Sequence, residues 1–185
     1  MKADRMHRPK VSIFLAVSLD GYIAGEKGEL SWLETYSGDT PESTGYTALM
    51  DSVDTMVFGR NTYDVVLPFE PWPYAGKKIF VLTRRPLTPK YGEEAHEGPL
   101  DVLLSELWQK GYRHVYLDGG NAARQGLALG VVDELTLSWI PIILGKGIPL
   151  FSQGLPLRHW RLLSSCALPS GILQGKYIPA ERGTE

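Results

Sequence analysis

The chain has 185 residues, 43% of them hydrophobic and 22% charged, with a formal net charge of −2. That length suggests one domain able to bury a core unaided, and the charge excludes strong attraction to nucleic acid or an anionic membrane. The single cysteine, Cys166, excludes an internal disulfide and points to the cytoplasm, and no apolar run approaches the roughly 20 residues of a membrane helix.

Residues 1–9 read as a disordered lead-in, basic but lacking the apolar centre of a signal peptide, ahead of a domain over 10–180. The run VSIFLAVSL at 11–19 is almost wholly apolar and β-prone, which predicts a strand buried on both faces. Asp20-Gly21 breaks it, and residues 22–33 read as a loop beside it. A helix is expected from a cap at Asp39 or Thr40 to about Met50, with Pro41 in its first turn and Gly45 as its weak point. Residues 54–58 read as the next strand, 61–67 as a short helix ended by Pro68, and 68–76 as a proline-aromatic loop. KIFVLT at 78–83 is a third strand. Residues 88–99 are polar and read as an exposed loop.

From Leu100 to Lys110, apolar residues at 100, 103, 104, 107 and 108 have helical spacing, with Gly111 as C-cap. Residues 114–117 form a strand, and 121–129 a helix closed by Gly130. DELTLSWIPII at 133–143 alternates as a strand does. Residues 160–168 and 172–178 flank Pro169-Ser170-Gly171 as a hairpin. Strands alternate with helices first and follow one another later, which predicts an α/β fold with a mostly parallel sheet and an antiparallel end.

Two strand-to-helix turns carry the chemistry. Gly59-Arg60-Asn61-Thr62 offers amides, a cation and a hydroxyl where helix N-termini favour anions; an ordinary tight turn with a surface arginine fits as well. Gly119-Gly120, between VYLD and a helix, suits close approach to a pyrophosphate or a strained turn without a ligand. Thr83-Arg84-Arg85 ends the third strand, where two arginines would suit a 2′-phosphate or stand as a solvated pair. Trp32, Tyr46 and Met50 suit an apolar pocket for a flat ring or plain core packing. Lys146, between two glycines, reads as the top of a hairpin. The four histidines are scattered, so no metal site is expected. Neither G-x-G-x-x-G opening a helix, nor a P-loop, nor a G-x-S-x-G elbow occurs.

The ordered set SLDGYIAG, MVFGRNTY, KIFVLTRRP, VYLDGGN, VDELTLSWIPIILGKGIPLF and the final hairpin resembles the dihydrofolate reductase superfamily. It is most similar to the branch related to the C-terminal reductase domain of the riboflavin-biosynthesis deaminase-reductase. The resemblance spans nearly all of 11–178. It implies a central sheet of about eight strands with helices on both faces, NADPH across the strand edges, and hydride transfer to a heterocycle or sugar carbon.

Carried over by residue, Ala16 and Val17 would meet the nicotinamide, and Ile23 would cover it. Gly59, Arg60, Asn61 and Thr62 would hold the pyrophosphate; Thr83, Arg84 and Arg85 would face the adenosine phosphate. Gly119, Gly120 and Asn121 would close around the pyrophosphate and nicotinamide ribose, and Trp32, Tyr46 and Met50 would face the substrate. Dihydrofolate reductases place a carboxylate early in the substrate-side helix; that place is Ser43 here, beside Glu42. Riboflavin reductases carry basic residues there, and PESTGYTALMDS has none. The zinc deaminase half is absent, since one cysteine cannot make its metal site.

The reading is therefore an NADPH-dependent reductase of a small pterin- or pyrimidine-like substrate, with Glu42, Asp20 or water as proton source. The alternative is a non-catalytic or regulatory module that kept the dinucleotide grip. Strand 133–143 and the loop at Trp72 are candidate faces of a homodimer. No nucleic-acid or membrane partner is expected.

Overall fold

Strand β1 (Lys10–Ser18) is the axis of the fold, because its apolar run can be buried only with strands on both edges and cover on both faces. The protein is described here by a computed structural model covering residues 7–36 and 38–180. In chain order there follow β2 (Tyr22–Ala24), a 3-10 helix (Ser31–Tyr36), α1 (Tyr46–Ser52), β3 (Thr55–Gly59), α2 (Arg60–Val66), β4 (Lys78–Leu82) and β5 (Glu94–His96). Then come α3 (Leu100–Gln109), β6 (His114–Asp118), α4 (Gly120–Leu129), β7 (Glu134–Ile140), β8 (Ile148–Pro149), β9 (Trp160–Ala167) and β10 (Leu173–Pro179).

Eight strands form one sheet in the order β5-β4-β3-β6-β1-β7-β10-β9, and β2 and β8 form a separate pair. All contacts from β5 to β7 are parallel, and β10 runs antiparallel to β7 and β9. This is the α/β sheet with an antiparallel end that the patterning predicts.

One face of β1, with Val11, Ile13 and Val17, packs into a core with Leu100, Leu103, Leu104 and Leu107 of α3 and Ala122 and Ala123 of α4. The other face meets α1 and α2: Phe14 and Tyr46 pack on a second cluster around Met56, Phe58, Tyr63 and Tyr116. The middle of β1, Phe14 to Ala16, is only half-buried, so the sheet is left partly uncovered there.

Several expectations are corrected. The helix expected from about residue 40 begins only at Tyr46, because Gly45 takes φ +76°, a left-handed conformation that α-helix cannot contain. Residues 22–33 hold β2 and the start of the 3-10 helix, and residues 88–99 hold β5. The run 133–143 is strand only over Glu134–Ile140, between β1 and β10. Both its edges are therefore taken, so it offers no strand edge to a second copy. Trp72 is stacked on Tyr91, centroids 4.5 Å apart, and meets Tyr74 edge-on. Residues 1–6 of the expected lead-in lie outside the described residues, but Arg8 is held: its guanidinium grips Asp133 through both terminal nitrogens, at 2.6 and 2.9 Å.

Candidate functional site

Parallel strands deliver their C-terminal ends to one edge of the sheet, and helix N-termini gather there. In the run β4-β3-β6-β1, Gly59 is in register with Leu82 and Phe58 with Asp118. The turns Gly59-Arg60, Thr83-Arg84 and Gly119-Gly120, separated by up to sixty residues of chain, thus lie side by side, next to the end of β1.

The turns are tightly fitted to one another. Gly119 has φ +86° and ψ 153°, a region open essentially to glycine alone. A Cβ there would fall 1.8 Å from Thr62 Oγ1. A Cβ on Gly120 would meet Ile23 Cδ1 at 2.5 Å, and one on Gly59 would meet Asn121 Cβ at 3.2 Å. Glycine is needed at Gly59 because of this approach, since its φ of −70° is ordinary. Ile23 therefore packs over the second of the paired glycines, where the lid residue of a nicotinamide site is expected.

The expected cations divide. Arg60 is engaged internally, through Asp64 at 2.8 Å and the Pro86 carbonyl at 2.7 Å, and Arg85 pairs with Asn61 and Asp64. Arg84 and Thr83 line a cavity of about 430 Å³ with His96, Asn121 and Gln125. Amides at two helix starts, glycine-permitted close approach and a neighbouring cavity carrying Arg84 fit a phosphorylated dinucleotide laid across this edge.

Beside it, on the α1 face, a second cavity of about 430 Å³ is lined by Phe14, Thr136, Gln174, Glu42, Ser43 and Leu49, among others. Tyr46 packs edge-on to Phe14 (5.4 Å) and Tyr116 (6.4 Å). Trp32 and Ala16 both pack on the cluster around Ile140, Tyr46 meets Phe14, and Phe14 and Ala16 are neighbours on one face of β1. Met50 packs on the same cluster as Tyr46, around Met56 and Phe58, and its neighbour Leu49 lines the cavity.

Neither expected proton donor is placed as one. Asp20 is a latch: it accepts from Ser18 Oγ (2.6 Å) and from the amides of Leu144 (3.1 Å) and Gly145 (2.7 Å). The Ser18 hydroxyl and these amides hold its carboxyl below the ordinary range. Asp20→Ala should free the 19–30 segment, raising the KM for cofactor several-fold and opening the segment to proteolysis; unchanged KM and unchanged limited digestion would dismiss the latch. Glu42 is at the cavity rim and accepts from Thr47 Oγ1 at 3.2 Å. Its own backbone amide and the Thr40 and Thr47 hydroxyls lower its pKa, so it is ionised at neutral pH and a poor acid.

The carboxyl that sequence reasoning passed over is Asp118, the last residue of β6. It is half-buried, and burial pushes its pKa up to about 6, against the opposing pull of the Gly119 amide and the Tyr116 and Tyr74 hydroxyls. The Tyr116 hydroxyl gives its proton to the Phe14 carbonyl at 2.9 Å, tying this corner to the floor of the groove. The available signal was an acidic residue ending an apolar strand and directly preceding two glycines.

The chain is similar to known proteins in sequence and in fold. The RibD C-terminal domain family matches residues 81–174. The chain is 33% identical over 150 residues to the protein YwjB of Bacillus subtilis (strain 168), covering 78% of this chain and 83% of that one. Among solved structures, a putative riboflavin biosynthesis protein from Shewanella sp. PV-4 superposes with TM-score 0.85 at 34% identity, over 93% of this chain and 99% of that one. A dihydrofolate reductase from Enterococcus faecalis, complexed with NADP(H) and RAB-propyl, shares the fold at TM-score 0.66 and 15% identity, over 93% and 97% of the two chains.

Proposed function

The chain belongs to the RibD C-terminal domain family, and from that premise we propose that it is an NADPH-dependent reductase of a small pterin- or pyrimidine-like heterocycle, with Asp118 as its proton source. The observation that carries the reading is Asp118 itself: a half-buried carboxyl whose pKa burial pushes up to about 6, directly before the Gly119-Gly120 turn and beside Tyr116 and Tyr74.

Nicotinamide, when bound, supplies the hydride. The chain supplies position and the proton. Ala16 and Val17, at the end of β1, would present backbone groups to the ring, and Ile23 on Gly120 would exclude water from it. The groove over Phe14, Thr136 and Ser138 orients the acceptor. Asp118 would give its proton to the ring nitrogen beside the carbon that is reduced and would be left as carboxylate, to be reprotonated from solvent. A donor with pKa near the working pH suits that exchange. The missing carboxylate at Ser43, which motivates the non-catalytic alternative, is thus made good from the facing strand; the Ser43 hydroxyl donates to the Thr40 carbonyl at 2.9 Å. Glu42→Gln should leave turnover within about three-fold, since a general acid is worth about a hundred-fold or more.

The test is a titration with NADPH and NADH followed by protein fluorescence. NADPH is expected to bind at least ten-fold more tightly than NADH, and Arg84→Gln to narrow that gap, because Arg84 lines the adenosine-side cavity and is not committed as Arg60 and Arg85 are. Absence of binding by either nucleotide would overturn the reading.

A further inference from the structure

The proline-aromatic loop between α2 and β4, residues 68–76, lines neither cavity, yet it is pinned at both ends. Trp72 lies flat on Tyr91, with centroids 4.5 Å apart and planes 15° from parallel. Glu70 Oε1 accepts from Lys90 Nζ at 2.7 Å and from the Tyr91 hydroxyl at 3.0 Å. The amides of Lys90 and Tyr91 both donate to the buried Glu93, each at 2.9 Å. At the far end the Lys77 amide donates to the Tyr74 carbonyl at 3.0 Å, and Lys77 Nζ reaches the Val53 carbonyl at 2.8 Å. Ordering long side chains in this way costs entropy, and the residue held in place by it is Tyr74.

Tyr74 is buried, with its ring edge-on to Phe58 at 5.0 Å and to Trp72 at 5.2 Å. Phe58 is the register partner of Asp118 on β3, so the Tyr74 ring stands over the strand beside this carboxyl. Its hydroxyl donates to Asp118. On the other flank β6 pairs with β1 as far as Leu117 and Ile13, which brings Phe14, a groove residue, level with Asp118. The carboxyl thus has Tyr74 on its β3 side and the groove on its β1 side. Three phenols face it: Tyr46 from α1, Tyr74 from the loop and Tyr116 from its own strand. Burial raises the pKa of all three, so none brings charge at neutral pH. A phenol has one proton to give. That of Tyr116 goes to the Phe14 carbonyl, and that of Tyr74 goes to Asp118.

We propose that Tyr74 is the positioning residue for this acid. From the side away from the groove its hydroxyl holds one oxygen of Asp118, which leaves the other turned to the groove to carry the exchanging proton. The pinned loop is then the support of the catalytic corner, although no part of it lines the groove. The proposal rests on the proposed reductase reading for what that proton does. A hydroxyl donating to a carboxylate favours the ionised form, so Tyr74 also limits the rise that burial imposes on the acid.

The experiment follows the side-chain carboxyl signals of ligand-free protein labelled with 13C-aspartate, from about pH 4 to about pH 9. Asp118→Asn assigns the signal, and the Hα–Hβ couplings of Asp118 report its χ1 rotamer. In the parent, Asp118 is expected to titrate near pH 6 from a single rotamer. Tyr74→Phe keeps the ring and removes the hydroxyl. It should raise the midpoint by about half a pH unit or more and average the couplings over several rotamers. Tyr63→Phe is the control: it removes a hydroxyl without a hydrogen-bond partner from the same aromatic cluster and should change neither readout. A Tyr74→Phe protein that keeps the parent's midpoint, or keeps its couplings, overturns the positioning role. Equal changes in Tyr63→Phe overturn it too, since they would belong to packing. NADPH titrated into the same samples separates the two ideas: a parent that binds no NADPH removes the reductase reading, while the carboxyl signals alone decide whether Tyr74 holds Asp118.

Discussion

Gly119→Ala is expected to lose NADPH affinity by about a hundred-fold and to destabilise the fold by about 3 kcal/mol. Two costs combine. The residue is held at φ +86° and ψ 153°, where a side chain costs about 1–3 kcal/mol. The new methyl would also fall 1.8 Å from Thr62 Oγ1 and 2.7 Å from Thr62 Cβ. A Cβ cannot rotate away, so the start of α2 must move, and its amides with it. Gly154→Ala separates the two costs: Gly154 has φ +86° but nothing within 4 Å of a built Cβ, so that variant bears backbone strain alone and keeps its affinity. Urea denaturation and a fluorescence titration on both variants decide the matter. A Gly119→Ala protein binding NADPH within three-fold of the parent would mean that this turn does not grip the dinucleotide.

Asp118→Asn should slow hydride transfer by about 10²–10³-fold, while making the protein more stable in alkali. The carboxyl's ordinary value is 3.8 and its folded value about 6. Between those values the folded chain holds a proton that the unfolded chain has released. The stability this contributes is complete below about pH 4 and lost as pH rises through about 6. At pH 8 the parent holds a partly desolvated carboxylate beside three tyrosines and the asparagine variant does not. The variant's advantage should grow from near nothing at pH 4 to on the order of 1–2 kcal/mol at pH 8, discounted for the solvent that reaches this half-buried group. In single turnover, the parent's rate should fall above pH 6 and the variant's stay flat. A variant whose stability tracks the parent at every pH would show that Asp118 is not perturbed, and the proton assignment would go with it.

Much of this was legible along the chain, for reasons that differ by element. The long parallel strands announce themselves because burial on both faces demands unbroken apolar runs, as in residues 11–19. The positions of the turns at Gly59 and Gly119 were legible because glycine there interrupts an apolar strand just before a helix. The pieces β2, β5 and β8 are two or three residues long, too short for any period to show. The α1 helix starts late because one glycine, Gly45, turned left-handed, a choice tertiary packing makes. Asp118 was hidden because its perturbation comes from burial against the pull of the Tyr116 and Tyr74 hydroxyls, and Tyr74 reaches it from the loop before β4; no local pattern shows that burial.

The placement of β1 also bears on how the chain comes off the ribosome. Its two neighbours are β6 and β7: Val11 pairs with Val115, and Ser12 with Glu134. Strand β1 therefore has no partner until the 95 residues between it and β6 have emerged, and it is complete on both edges only once β7 is out. Closing loops of that length is entropically costly and slow. Meanwhile VSIFLAVSL waits as an uncharged, β-prone ribbon, the kind of segment that pairs with its own copies on a crowded polysome. A chain truncated before residue 134 should be insoluble on its own, and full-length yield should rise when holdase chaperones shield the nascent N-terminus.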